Sequence, residues 1–291
     1  MPRGAAVLII TAMLLSGIAP GVPADSDASN LRAVQNRVAG VLAHPALQGA
    51  RVGALIVSTE RHGDIYRANA GEPLIPASNM KLVTVATALE LLGPQYDCSA
   101  LPGAESAETL GELSGRILKP SSNALADALL TALPDAAGRP DLTPRQLSAE
   151  AWGERGVYLH GTHWADGSGL SREGRMSAAM IVELLEMMDR SRWRQEFIAA
   201  LPVAGIDGTL RNRMRDGPAR GRVIAKTGSL RGVSALSGYA ETIAGERLIF
   251  ALVMNGFDCE TPRVRRMQDH ICEALVGLER EARWFERASG D

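Results

Sequence analysis

Apolar residues recur at helical spacing from Asn30 to Leu42, where Leu31, Val34, Val38 and Val41/Leu42 share one side. The period then shortens. Arg51 to Ser58 reads as a strand, Glu60-Arg61-His62-Gly63 as a turn, and the stretch near Ile65-Tyr66 as a second strand. After Pro76, Ser78 to Leu92 is apolar on nearly every side and stops at Gly93-Pro94. A helix without a polar face belongs in the middle of a core. Shorter helical patterns follow over Ala107–Leu118, Asn123–Leu133, Thr143–Arg155, Ser177–Met188 and Arg192–Leu201. From Val223 the pattern returns to strands at Val223–Ser229, Ala235–Thr242 and Arg247–Met254, the last two joined by Ala244-Gly245-Glu246. Pro262 to Leu278 closes the chain as a helix. Strands at both ends around a helical middle predict one antiparallel sheet covered by the terminal helices, a second, helical lobe, and a cleft between them.

Composition narrows the function. A chain of 291 residues with 46% hydrophobic and 22% charged residues has material for a sizeable core. The net charge of −2 supplies no basic field for nucleic acid, and 4% aromatic residues leave little for base stacking. Arg3 followed by the apolar run Ala5–Ala19 and the small residues Val22-Pro23-Ala24 reads as an export signal at 1–24; a membrane anchor is the alternative, and the run is short for one. The expected mature unit is 25–291, exported to the periplasm or beyond and soluble. Cys98, Cys259 and Cys272 leave at least one thiol unpaired in a monomer; a Cys259–Cys272 bridge and three separate thiols are both open. No zinc spacing is present. His160-Gly161-Thr162-His163 reads as a loop, so neither a metal nor another cofactor is expected.

The cations are almost all arginine, with lysine only at 81, 119 and 226. Arginine stays charged, whereas a buried lysine can become a neutral base, so the three lysines are the first candidates for chemistry. Ser78-Asn79-Met80-Lys81 is S-x-x-K at a predicted helix start, and Lys226-Thr227-Gly228 is K-T-G on a predicted strand. Ser121-Ser122-Asn123 lies between them as S-x-N. Composition alone predicts about 0.2 occurrences of the first motif and about 0.01 of the K-T-G. Residues three apart share a helix face, so Ser78 and Lys81 can meet. A serine needs a neighbour to take its proton, and a desolvated lysine can do so. Read singly, Ser78 is a plain helix cap, Lys81 a solvated helix lysine, and Ser121/Asn123 another cap; the K-T-G tips the balance toward chemistry. Lys226, Thr227, Gly228 and Ser229 would line the opposite wall, where a cation and hydroxyls suit a substrate carboxylate. The N–H groups of Ser78 and Ser229 are the candidate oxyanion hole. Lys119 reads as a solvated helix end.

The three motifs match the set found in penicillin-binding proteins and serine β-lactamases. With Asp166-Gly-Ser-Gly-Leu-Ser171, Leu201-Pro-Val-Ala-Gly-Ile-Asp-Gly-Thr-Leu210 and Ala225-Lys-Thr-Gly-Ser-Leu230, the chain resembles the D-alanyl-D-alanine carboxypeptidase/endopeptidase group of low-molecular-mass penicillin-binding proteins from about Val52 to the closing helix. The bland reading of Asp166–Ser171 is a glycine turn. The resemblance implies an α/β (α+β) fold like that of the serine β-lactamases. It would have a five-stranded antiparallel sheet with flanking helices (about 30–77 and 205–291) and an all-helical lobe (about 78–204). It implies a penicillin-inhibited serine peptidase acting on peptidoglycan stem peptides through an acyl-enzyme. Ser78, Lys81, Ser121, Asn123 and Lys226 would be catalytic, with Thr227, Gly228 and Ser229 binding substrate. The domains that the group commonly inserts between S-x-x-K and S-x-N are missing: only 39 residues, Leu82–Pro120, intervene. A more open cleft with weak selectivity for the third stem residue is expected. The alternatives are a β-lactamase, for which no E-x-x-L-N or Tyr-x-Asn setting is found, and a catalytically silent peptidoglycan-binding protein.

Overall fold

The computed structural model describes residues 24–61, 63–157 and 162–280. The expected signal at 1–24 therefore lies outside the described residues apart from its last one, and Tyr158 to Gly161, with His160, lie outside them altogether. Five strands form one antiparallel sheet in the order β2-β1-β5-β4-β3, with β1 Arg51–Ser58, β2 Asp64–Ala68, β3 Val223–Leu230, β4 Val233–Glu241 and β5 Arg247–Asn255. The strands of both chain ends meet where β1 pairs with β5, Arg51 opposite Asn255 through Ser58 opposite Leu248.

The central strand β5 is buried on both faces, and its alternation divides the core in two. Leu248, Phe250, Leu252 and Met254 join the cluster that contains Val34 and Val38 of α1 (Ala24–Leu42) and Val264, Ile271 and Leu275 of α8 (Thr261–Val276). Ile249, Ala251 and Val253 point the other way, into the larger cluster built on the helical segment. That segment comprises α2 Met80–Leu92, α3 Leu110–Leu118, α4 Asn123–Ala136, α5 Pro144–Gly153, α6 Ala178–Arg190 and α7 Arg194–Ala200. Every residue of α2 from Met80 to Leu89 is buried, as its all-round apolar pattern requires.

Several element starts differ from the expected ones, three of them instructively. Helix α1 begins at Ala24 rather than Asn30; Asp27 pairs with Arg61 at 3.2 Å, a tertiary tether no local pattern reveals. Helix α3 begins at Leu110 rather than Ala107, because Ala107 has φ +56° and Thr109 and Glu112 form a reciprocal cap. Ser78 lies ahead of α2, on a 3-10 turn over Ala77–Asn79.

Candidate active site

The nucleophile candidate sits on a turn held from several sides. Just upstream, the Asn255 side chain clamps Ile75, accepting from its N–H at 2.7 Å and donating to its carbonyl at 3.0 Å. Ala77 then takes the left-handed conformation, φ +48°, which costs an alanine energy and persists only when the surroundings impose it. The surroundings are glycines. A Cβ on Gly169 would come within 1.8 Å of the Ala77 carbonyl oxygen, and one on Gly228 within 2.7 Å of the Pro76 carbonyl oxygen. Asn79 Nδ2 donates to Ser237 Oγ on β4 at 2.8 Å, tying the turn to the sheet. The glycine turn Asp166–Ser171 and the glycine of K-T-G therefore shape the nucleophile's backbone.

One helical turn on, Lys81 is fully buried, and three acceptors surround its Nζ: Ser78 Oγ at 3.0 Å, Asn123 Oδ1 at 2.7 Å and the Ser168 carbonyl at 2.6 Å. Burial lowers its pKa to about 8, and the negative charges of Asp127 and Asp166 limit the fall. Those carboxylates are themselves engaged. Asp127 Oδ1 accepts from Ser168 N at 2.8 Å, while the Asp166 oxygens accept from Gly169 N and Ser171 N, each at 2.6 Å. A neutral amine has two hydrogens. With Asn123 and Ser168 taking both, the lone pair is left for the Ser78 hydroxyl.

The opposite wall is the start of α4 and the edge strand β3. Ser121 has φ +64°, a second strained non-glycine position, and its Oγ accepts from Lys226 Nζ at 2.8 Å. Lys226 is fully buried and also donates to the Thr227 carbonyl at 2.9 Å. Burial, and then the proximity of Lys81, hold its pKa well below the usual lysine range. Alternation along β3 puts Lys226 and Gly228 on one face and Thr227 and Ser229 on the other. Thr227 Oγ1 lies 2.7 Å from Thr209 Oγ1, and Ser229 is exposed.

All five residues read as catalytic thus converge: Ser78, Lys81 and Asn123 in one hydrogen-bonded group, Ser121 and Lys226 in the adjoining one. Sequence reasoning missed Ser168, whose contribution is a backbone carbonyl, and Asp127, Asn79 and Asn255, which act on neighbours distant in the chain. It also misread Lys119. Rather than a solvated helix end, Lys119 pairs with Asp207 and donates to the Leu201 carbonyl at 3.2 Å. Next to Ser122, a hollow of about 880 Å³ opens between residues 105–108 and α3. Cys98, Cys259 and Cys272 are three separate thiols, so the Cys259–Cys272 bridge is not formed. Among the described residues no helix is long and apolar enough to cross a membrane, and no group of three or more His, Cys, Asp or Glu side chains could hold a metal ion.

The family described as D-Ala-D-Ala carboxypeptidase 3 (S13) matches residues 34–101 and 99–276, two segments that meet between α2 and α3. A D-alanyl-D-alanine carboxypeptidase of Actinomadura sp. (strain R39) is 39% identical over 187 residues, 62% of this chain and 34% of that protein. The chain spans about a third of the length of the curated relatives it matches. Among solved structures, penicillin-binding protein 4 of Haemophilus influenzae superposes with TM-score 0.71 at 14% identity, over 84% of this chain and 99% of that one. A class A β-lactamase of Bacteroides cellulosilyticus superposes with TM-score 0.61 at 14% identity, over 85% and 98%. At such identities these likenesses speak of fold alone.

Proposed function

Because this chain belongs to the D-Ala-D-Ala carboxypeptidase 3 (S13) family, we propose that it is a serine peptidase that cleaves D-Ala-D-Ala ends of peptidoglycan stem peptides and is acylated by β-lactams. The observation that carries this reading is the Lys81 amine, 3.0 Å from Ser78 Oγ with two other acceptors for its remaining hydrogens. In its neutral form Lys81 takes the Ser78 proton as Oγ attacks the carbonyl of the penultimate D-alanine. The tetrahedral oxyanion collapses, and the terminal D-alanine leaves with a proton delivered through Lys81 or through Ser121, which Lys226 holds by a 2.8 Å hydrogen bond. Water then attacks the acyl-enzyme, and Ser78 recovers its proton. Asn123, whose Oδ1 is occupied by Lys81, has its Nδ2 to donate to the substrate backbone. Thr227 and Ser229 offer hydroxyls to the terminal carboxylate; Gly228 lets the strand approach the nucleophile turn. The N–H groups of Ser78 and Ser229 would receive the oxyanion.

The β-lactamase reading draws on the shared fold, but the chain has no E-x-x-L-N or Tyr-x-Asn setting, and both carboxylates that act on Lys81 accept from backbone N–H groups. A β-lactam adduct should therefore persist. A silent peptidoglycan binder would have no use for the buried pair of lysines beside two hydroxyls. We place the protein outside the cytoplasm, as residues 25–291 freed from the leader at 1–24; the support is the apolar run Ala5–Ala19 and the location of the substrate. The test is incubation with purified muropeptides and mass spectrometry of the products. Loss of one terminal D-alanine, or opening of a D-alanine cross-link, is expected. Unchanged muropeptides together with no penicillin adduct would overturn the reading.

A further inference from the structure

We propose that Thr209 is a positioning residue for substrate recognition, orienting the Thr227 hydroxyl so that it donates to the substrate's terminal carboxylate. The proposal rests on the peptidase reading above and names a residue that reading leaves out. The 3-10 turn Gly208–Leu210 is bound to both parts of the cleft's opposite wall, the segment before the S-x-N loop and β3. On one side, Thr209 N donates to the Lys119 carbonyl at 3.0 Å, two residues before Ser121. Gly208 has φ +54°, and a Cβ there would come within 2.7 Å of the same carbonyl oxygen. The preceding Asp207 is fixed twice: one oxygen pairs with Lys119 Nζ, the other accepts from Val203 N at 2.8 Å. On the other side, Thr209 Oγ1 lies 2.7 Å from Thr227 Oγ1.

A hydroxyl has one proton to give. If Thr227 spends it on Thr209, none is left for a carboxylate, which only accepts. The pair must then run in the other sense, with Thr209 donating to Thr227 and Thr227 donating to the carboxylate. Thr209 thereby fixes the Thr227 rotor without touching the substrate. The Lys119–Asp207 pair holds the donor in place and ties the segment before the S-x-N loop to the turn beside the K-T-G strand.

The test measures release of D-alanine from an acylated Lys-D-Ala-D-Ala tripeptide and of D-alaninamide from its C-terminal carboxamide. Variants are Thr209→Val, which keeps the shape and removes the hydroxyl, Thr209→Ala, and Thr209→Ser, which restores the hydroxyl. Thr209 is exposed, so all three should fold. Loss of one neutral hydrogen bond predicts a KM about fivefold higher on the acid for Val and Ala, with kcat within about twofold. Serine should recover wild-type KM, and the preference for acid over carboxamide should shrink about fivefold in the Val and Ala variants. The proposal is overturned if kcat falls while KM stays, if serine fails to rescue, or if acid and carboxamide suffer alike. A wild-type protein that cleaves neither peptide would instead sink the peptidase reading beneath it.

Discussion

Two buried lysines stand beside two serines in one cleft, and their surroundings differ in kind. Lys81 has three acceptors and two nearby carboxylate charges, and settles at a pKa of about 8. Lys226 has two acceptors, a second lysine nearby, and a pKa held well below the usual range. The first environment keeps an amine poised between its forms near neutral pH, which suits a group that must take a proton and return it. The second disfavours charge until an anion arrives, which suits a group waiting for a carboxylate.

The hardest test of that contrast is the nucleophile both lysines serve. Ser78→Ala should abolish the covalent penicillin adduct seen by intact mass; an equal adduct on both proteins would remove Ser78 from the mechanism. Next in size is Lys81→Arg. A guanidinium cannot become a neutral base, so the penicillin acylation rate should fall about a thousandfold, within the span of general-base effects. Third comes pH. Acylation should rise with pH through about 8 as Lys81 loses its proton. Stability should follow with the same sign. A lysine whose folded pKa lies below its unfolded value, about 8 against 10.5, binds its proton less readily when folded. It therefore penalises the native state below pH 8, and the penalty fades as pH rises from 8 to 10.5, an effect of about 3 kcal/mol at most. Denaturant titrations at pH 7 and 10.5 should show a larger gain in the wild type than in Lys81→Met, where Lys226 alone contributes in this sense.

A smaller effect separates the two lysines directly. Lys226→Arg keeps a cation but forces a planar fork into a space built for an amine. About tenfold loss of acylation is expected, and a loss equal to that of Lys81→Arg would erase the division of roles. Smallest of all should be the response to the third residue of the stem peptide. A hollow of about 880 Å³ opens beside the S-x-N loop, between residues 105–108 and α3. Matched peptides with lysine or diaminopimelate there should differ less than about tenfold in kcat/KM. A hundredfold preference, about 2.7 kcal/mol, would mean that a specific pocket survives.

The sequence by itself pointed to the antiparallel sheet, the buried α2 and the Ser78–Lys81 pair by local rules, and to Ser121, Asn123 and Lys226 by the set of motifs they complete. Period-two apolar patterns specify strands, an unbroken apolar helix must lie in a core, and S-x-x-K three residues apart must share a face. Only the tertiary structure decided what those residues experience. Ala77 and Ser121 are ordinary residues in sequence, and their left-handed backbones exist because distant segments impose them. Asp127 matters through a Ser168 amide 41 positions away, Lys119 through Asp207 88 positions away, and Thr209 through Thr227 18 positions away. A contact between residues far apart in the chain leaves no period or spacing in the sequence. The pKa of a lysine depends on what else reaches it, so the fold and not the motif sets the chemistry of Lys81 and Lys226.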